Sequence, residues 1–279
     1  MIPQRNLSLL SNRLAREGGR RIPEAVLERD YCLAWFLVGL SRAPLRERLA
    51  FKGGTAIKRC YFGDYRFSED LDFTLIEEVP FETIREELEP VFEEARRAAG
   101  LVLRYAREDR QRHANSHTFY LAYEGPLPAR SGNEVKVDIT IRERLVLPLA
   151  ERPIVRGYDE YEDLPASAVV RVYSLDEIAV EKLVALGDRA RNEPRDLYDA
   201  WYLGSEGHVN LGRLKAEVES KLEFRGRTLA TLGEEFHKKE ARLRKLWNTR
   251  LAAQMVALPE FDRVFRTVER NLRQAGLAG

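Results

Sequence analysis

Phe51-Lys52-Gly53-Gly54-Thr55, and the segment running on to Ser68-Glu69-Asp70-Leu71-Asp72-Phe73-Thr74-Leu75-Ile76, carry the densest information in this sequence. Two adjacent glycines follow the apolar Leu49-Ala50-Phe51, and Thr55 leads into Ala56-Ile57-Lys58-Arg59-Cys60-Tyr61-Phe62. The pattern predicts a strand end, a tight turn and a short helix. Such a turn suits a phosphate: glycine lets the backbone come close to an anion, and the amides and dipole at a helix start favour its charge. The 68–76 segment reads as a strand, in which residues two apart share a face. Ser68, Asp70 and Asp72 then point one way, and Leu71, Phe73 and Leu75 the other. Two carboxylates so close repel unless a cation sits between them, and a pair of hard oxygen donors beside a phosphate cradle is what Mg²⁺ prefers.

A second strand, Glu134-Val135-Lys136-Val137-Asp138-Ile139-Thr140-Ile141-Arg142, alternates in the same way. Val135, Val137, Ile139 and Ile141 face a core, whereas Lys136, Asp138, Thr140 and Arg142 share the opposite face. Alone, Asp138 is an ordinary half-exposed strand residue. Beside an Asp-x-Asp strand, a third carboxylate is what a two-metal phosphoryl or nucleotidyl transfer site needs.

The glycine pair, the spacer and Arg66-Phe67-Ser68-Glu69-Asp70-Leu71-Asp72-Phe73 together resemble the AbiEii/AbiGii-type toxins, nucleotidyltransferases of the DNA polymerase β-like superfamily. Glu28-Arg29-Asp30-Tyr31 resembles a Glu-Lys-Asp-Tyr that members carry before the glycine motif, and also reads as part of a helix packed behind the sheet. The resemblance runs from the first helices to about Trp201 and thins beyond it. It implies an α/β (α+β) fold with a mixed sheet in a 1–150 nucleotidyltransferase core and a helical 151–279 domain completing the active-site cleft. It also implies an NTP substrate, Mg²⁺ or Mn²⁺ on Asp70, Asp72 and Asp138, and nucleotide binding by Gly53, Gly54, Thr55 and Ser68. Glu177-Ile178-Ala179-Val180-Glu181-Lys182-Leu183 matches the family helix whose lysine, here Lys182, reaches the triphosphate; the other reading is a surface lysine whose stem packs. Arg195-Asp196-Leu197-Tyr198-Asp199 resembles the last motif, in which Asp196 supports catalysis, although carboxylates also stabilise a helix start. Biologically, the resemblance implies the toxin of a bacterial toxin–antitoxin or phage-defence pair, with an antitoxin partner and tRNA 3′ ends as acceptor. Two alternatives stay open: an enzyme of the same fold that modifies a small molecule such as an aminoglycoside, and a non-catalytic nucleic-acid-binding module.

The remaining sequence sets bounds. Hydrophobic residues at 44% and charged ones at 33% fit a globular protein with a sizeable core. The longest apolar run, 31–40, is too short for a bilayer, and no signal-peptide core follows Met1, so we expect a cytoplasmic protein with no membrane role. Cys32 and Cys60 lie on apolar helical stretches and read as buried free thiols. His113, His117, His208 and His237 form no zincin-like set, and neither a Gly-x-Ser-x-Gly elbow nor a P-loop occurs. Helices are expected over 5–17, 22–41 and Pro80 to Ala99, the last kinked or split at Pro90. Strands over 101–105 and 118–123 flank a loop holding Arg107, Arg110, Arg112 and His113, either a solvated hairpin tip or a contact for RNA phosphates. The proline- and glycine-rich 148–168 reads as a connector, and Ser174-x-x-Glu177 as a capping box. Helices over 211–223, 233–255 and 259–275 complete the chain. Between 211 and 250, eleven Lys or Arg face six Glu, an excess that places Lys238, Lys239, Arg242, Lys245 and Arg250 on one helix as a solvated or an RNA-binding face.

Overall fold

A computed structural model describes residues 1–111, 114–128 and 132–278. Arg112 and His113 of the expected basic loop lie outside the described residues. The chain forms two compact units: Met1–Glu143 with Leu149–Val172, and Arg144–Pro148 with Tyr173–Gly279. Residues 149–172, expected from the sequence in the helical part, bring two strands to the sheet of the first unit.

The first unit runs α1 (Gln4–Gly18), α2 (Glu24–Ser41), β1 (Leu49–Lys52), α3 (Gly53–Cys60), β2 (Asp70–Leu75), α4 (Phe81–Ala99), β3 (Val102–Glu108), β4 (Ser116–Glu124), β5 (Glu134–Thr140), β6 (Leu149–Pro153) and β7 (Val169–Tyr173). The strands form one mixed sheet in the order β3-β4-β5-β2-β1-β7-β6. The α/β class with a mixed sheet that the resemblance implies is the one observed. Period-two alternation buries Leu71, Phe73, Val135, Val137 and Ile139 while leaving Asp70, Asp72 and Asp138 half-exposed on the other face. Helix α2 covers the apolar face: Phe36 lies 6.4 Å from Phe73, and Cys32 and Leu33 line an apolar pocket with Leu71, Leu121 and Val135. Cys32 and Cys60 are buried free thiols, as expected.

Helix α4 packs across α2 so closely that a Cβ on Gly39 would lie 2.4 Å from the Val91 carbonyl oxygen. It runs unbroken through Pro90, where a kink or split was expected. Pro90 sits on the exposed side, where water can take the carbonyl that the missing N–H leaves unpaired, while Leu88, Val91 and Phe92 keep the buried stripe intact. The expected connector is also packed. Tyr161 is buried and donates to Leu27 O at 2.8 Å, Tyr31 donates to Asp163 at 2.7 Å, and Asp30 forms a buried pair with Arg59. Tyrosine supplies an apolar body with a polar tip, so this proline-rich segment closes the back of α2 despite its loop-like composition.

The second unit contains α5 (Leu175–Leu186), α6 (Pro194–Ser205), α7 (Lys215–Phe224), α8 (Leu229–Lys238), α9 (Glu240–Leu251) and α10 (Phe261–Gln274). Ser174 caps α5 by accepting from the Glu177 amide at 3.2 Å, one half of the expected capping box. Glu177 does not complete it. Its buried carboxylate instead takes the Lys221 ammonium at 2.6 Å and the Leu147 amide at 2.9 Å. The helix expected over 233–255 is two helices, α8 and α9, meeting at Lys239. No described helix is long and apolar enough to cross a membrane.

Candidate active site

The polar face of the sheet gathers the sequence-predicted carboxylates. Strands β2 and β5 pair in parallel with Asp72 opposite Asp138 and Asp70 opposite Lys136. Neighbouring strands lie about 4.8 Å apart, so Asp72 and Asp138 are lateral neighbours, with Asp70 two residues along the same face. Asp138 Oδ2 accepts from Thr118 Oγ1 at 3.3 Å and lies 3.7 Å from Lys136 Nζ. On the other flank, β1 runs antiparallel to β2 and sets Lys52 opposite Asp72. The Lys52 ammonium reaches past β2 to donate to Thr140 Oγ1 of β5 at 2.9 Å. A lysine therefore lies along the carboxylate face, a position the sequence could not give because it depends on which strands become neighbours.

The glycine turn meets this face from the side. Gly53 has φ +79°, and a Cβ there would lie 2.5 Å from Asp72 Oδ2. A Cβ on Gly54 would lie 2.5 Å from the buried Arg66 guanidinium. Gly53 is thus favoured by its left-handed backbone and Gly54 by its close approach to Arg66, and together they open α3, whose first amides have no partner within the helix. Thr55 is buried, and its hydroxyl donates to Asp70 O at 2.6 Å, tying the helix start to the first carboxylate residue. Ser68 is buried at the entry to β2.

The other end of α3 holds the intervening turn from within. Lys58 is fully buried and donates to Gly63 O at 2.8 Å, Tyr65 O at 3.0 Å and the Tyr158 hydroxyl at 3.0 Å. Its ammonium also stands 4.4 Å from the Phe67 ring centroid. Burial pulls it down to about 8, against the attraction of Asp30. Arg59 donates to Val155 O at 3.2 Å and Arg156 O at 3.1 Å. Of these two consecutive cations of α3, Lys58 clamps the turn that delivers Ser68 and Asp70 to the sheet face, and Arg59 ties the helix to the 155–156 segment.

In the second unit Lys182 is buried between two carboxylates, Asp196 at 2.7 Å and Asp199 at 2.8 Å. Arg191 binds the other oxygen of Asp196 at 2.5 Å. Burial raises the Asp196 carboxyl, but Lys182 and Arg191 outweigh that cost and hold it well below the usual carboxylate range. The sequence reading assigned Asp199 to the helix start alone; the structure makes it an equal partner of Lys182. The described histidines take structural contacts: His117 stacks on Phe81 at 4.8 Å, His208 on Tyr202 at 5.1 Å, and His237 meets Glu269 at 2.9 Å.

Among the described residues no three His, Cys, Asp or Glu side chains already stand as a metal-ligating cluster. Asp138 is turned toward Thr118 and Lys136 rather than toward Asp72. The donor chemistry nonetheless fits a hard divalent ion, because all three side chains are carboxylates on one face of adjoining strands.

No curated protein matches the chain in sequence. Its fold is similar to that of MenT4, a nucleotidyltransferase toxin from Mycobacterium tuberculosis H37Rv, with a TM-score of 0.55 and 17% identity over 95% of this chain and 89% of that one. The family model described as nucleotidyl transferase AbiEii toxin, type IV toxin–antitoxin system, matches residues 35–267, a span that takes in the glycine turn, all three sheet carboxylates and the Lys182 cluster. With most of its length matched, this chain belongs to the AbiEii family of nucleotidyltransferase toxins.

Proposed function

We propose that the chain transfers a nucleotide from an NTP to an acceptor hydroxyl on tRNA 3′ ends, acts in the cytoplasm, and is neutralised by an antitoxin partner. The observation that carries this reading is the register of β2 and β5, which makes Asp72 and Asp138 neighbours beside a turn whose Gly53 holds a left-handed backbone. Asp70, Asp72 and Asp138 would hold Mg²⁺ or Mn²⁺, which when bound offsets phosphate charge and lowers the pKa of the attacking hydroxyl. Gly53 and Gly54 present backbone amides to the terminal phosphates at the start of α3. Thr55 adds its own amide, since its hydroxyl proton is committed to Asp70 O. Ser68 lines the same approach. Lys52 lies along the carboxylate face, where its charge attracts an anionic substrate. For Lys182, the support is its match to the family helix and its orientation by Asp196 and Asp199; its role is to meet charge growing on the pyrophosphate.

The test is incubation of the purified chain with each labelled NTP, Mg²⁺ and bulk bacterial tRNA. Label enters RNA with the wild type and is lost by at least about a hundredfold in Asp72→Asn, which keeps the shape but removes a charged donor. Equal labelling by Asp72→Asn would sink this assignment, and label on an aminoglycoside instead of RNA would return the small-molecule alternative.

A further inference from the structure

The basic excess of the C-terminal helices divides into two populations once each side chain is placed. Lys238 is held by Glu235 at 2.9 Å, and Arg244 by Glu240 and Asp262, each at 2.7 Å. Lys239 is buried and donates to Leu186 O at 2.7 Å, so it caps α5 rather than facing solvent. Arg242, Lys245 and Arg250 behave differently. Among the described residues they take part in no hydrogen bond or ion pair, and all three are exposed on α9. Together with Leu246, Ala241, Ala190 and Asn192, they line an open groove of about 760 Å³ within the second unit.

We propose that this groove binds the phosphate backbone of the acceptor RNA, an inference that rests on the transfer reading above. At 1.5 Å of rise per residue, Arg242 and Lys245 are separated by roughly 4.5 Å along the helix axis and Lys245 and Arg250 by roughly 7.5 Å. Three cations in a row follow a strand of regularly spaced phosphates. At 3.6 residues per turn they fall within about 140° of arc on α9, and all three line the groove. Asn192 adds a side-chain amide to the lining, the kind of group that joins arginine and lysine in phosphate contacts. A protein partner needs more: its energetic anchors are largely Trp, Tyr and Arg seated in well-packed, desolvated pockets. Among the described residues no aromatic side chain lines this groove, and its cations stand exposed. Neutralised internal cations cannot release counterions on binding, whereas unpaired ones can, and among the exposed cations of 211–250 without an ion pair these three share one groove.

The experiment compares the wild type, the triple variant Arg242→Gln/Lys245→Gln/Arg250→Gln and the control Lys238→Gln. Binding of fluorescently labelled bulk bacterial tRNA is followed by anisotropy across a salt series, with thermal midpoint as the folding check. We expect the triple variant to lose about two units of the log-affinity against log-salt slope and at least about tenfold in affinity, with the midpoint unchanged. Lys238→Gln, which removes a cation already held by glutamate, should keep the wild-type slope. A triple variant with the wild-type slope and affinity overturns the proposal, as does wild-type protein that binds no RNA. Retained RNA affinity with lost antitoxin binding would assign the groove to a protein partner and overturn it equally. RNA binding without any labelling from NTP would defeat the transfer reading while leaving the groove in place, so the two failures are distinguishable.

Discussion

Gly53 and Gly100 both hold left-handed backbone, at φ +79° and +67°, yet their surroundings differ completely. A Cβ on Gly100 would meet nothing within 4 Å, whereas on Gly53 it would collide with the Asp72 carboxylate. Gly100→Ala should therefore cost only the backbone strain, about 1 kcal/mol in chemical unfolding, with nucleotide transfer unchanged. Gly53→Ala should cost roughly 2–4 kcal/mol and remove transfer by at least about a hundredfold, because it displaces a carboxylate as well as straining the turn. Lys58 offers a pH test. Its ammonium is lowered by burial from 10.5 to about 8, so between those values the unfolded chain binds a proton that the folded chain has released. Stability must then rise with pH across that window. Lys58→Met lacks the group, so the stability of the wild type relative to this variant should increase by roughly 2 kcal/mol from pH 7 to 9.5, read from denaturant melts at both values. A flat difference would show that the ammonium is not desolvated. The sequence showed that Lys52 and Lys58 lie near the glycine turn but not where they point. One extends along the sheet face to Thr140 and the other is swallowed by the turn it holds.

Helices α8 and α9 show how far a local pattern carries. Their apolar positions predict one helix over 233–255, whereas two form, over 229–238 and 240–251, and Lys239 at the junction makes tertiary contacts. Its ammonium is drawn to the carbonyls of Ala185 and Leu186 at the end of α5, at 3.2 and 2.7 Å. A cation there offsets the negative end of the α5 dipole and pairs carbonyls that the helix leaves open. Lys239→Ala should lower stability by about 1–2 kcal/mol, while Lys238→Ala, whose exposed ammonium pairs with Glu234 and Glu235, should stay within about 0.5 kcal/mol. Thermal unfolding of the two neighbours side by side decides it; equal losses would mean that the cap contributes nothing. Glu177 teaches the same lesson from the other direction. The Ser-x-x-Glu spacing correctly marks where α5 begins, yet the glutamate itself is taken by Lys221 and by the 146–147 amides. A buried lysine is a stronger claimant for a carboxylate than a helix amide that water can reach.

Alternation along β2 and β5 was readable because a strand's side chains obey a period that neighbouring residues alone impose. It assigned Asp70, Asp72 and Asp138 to polar faces and the valines, isoleucines and phenylalanines between them to the core. The glycine turn was readable for a related reason, since Gly53 holds a left-handed backbone that other residues adopt only with strain. Family membership followed from these same local spacings. What stayed hidden were the relations between segments remote in the chain. The register that sets Asp72 against Asp138, and Lys52 against Asp72, exists only once three strands have paired. The strands of 149–172 looked like a linker because proline, glycine and charge dominate their composition, while the two tyrosines that anchor them act through contacts with α2 and α3. The partners of Lys182, Lys221 and Lys239 were equally invisible. A lysine reads the same on paper whether it is solvated or buried, and its charge is assigned only when folding removes water and leaves a particular carboxylate or carbonyl within reach.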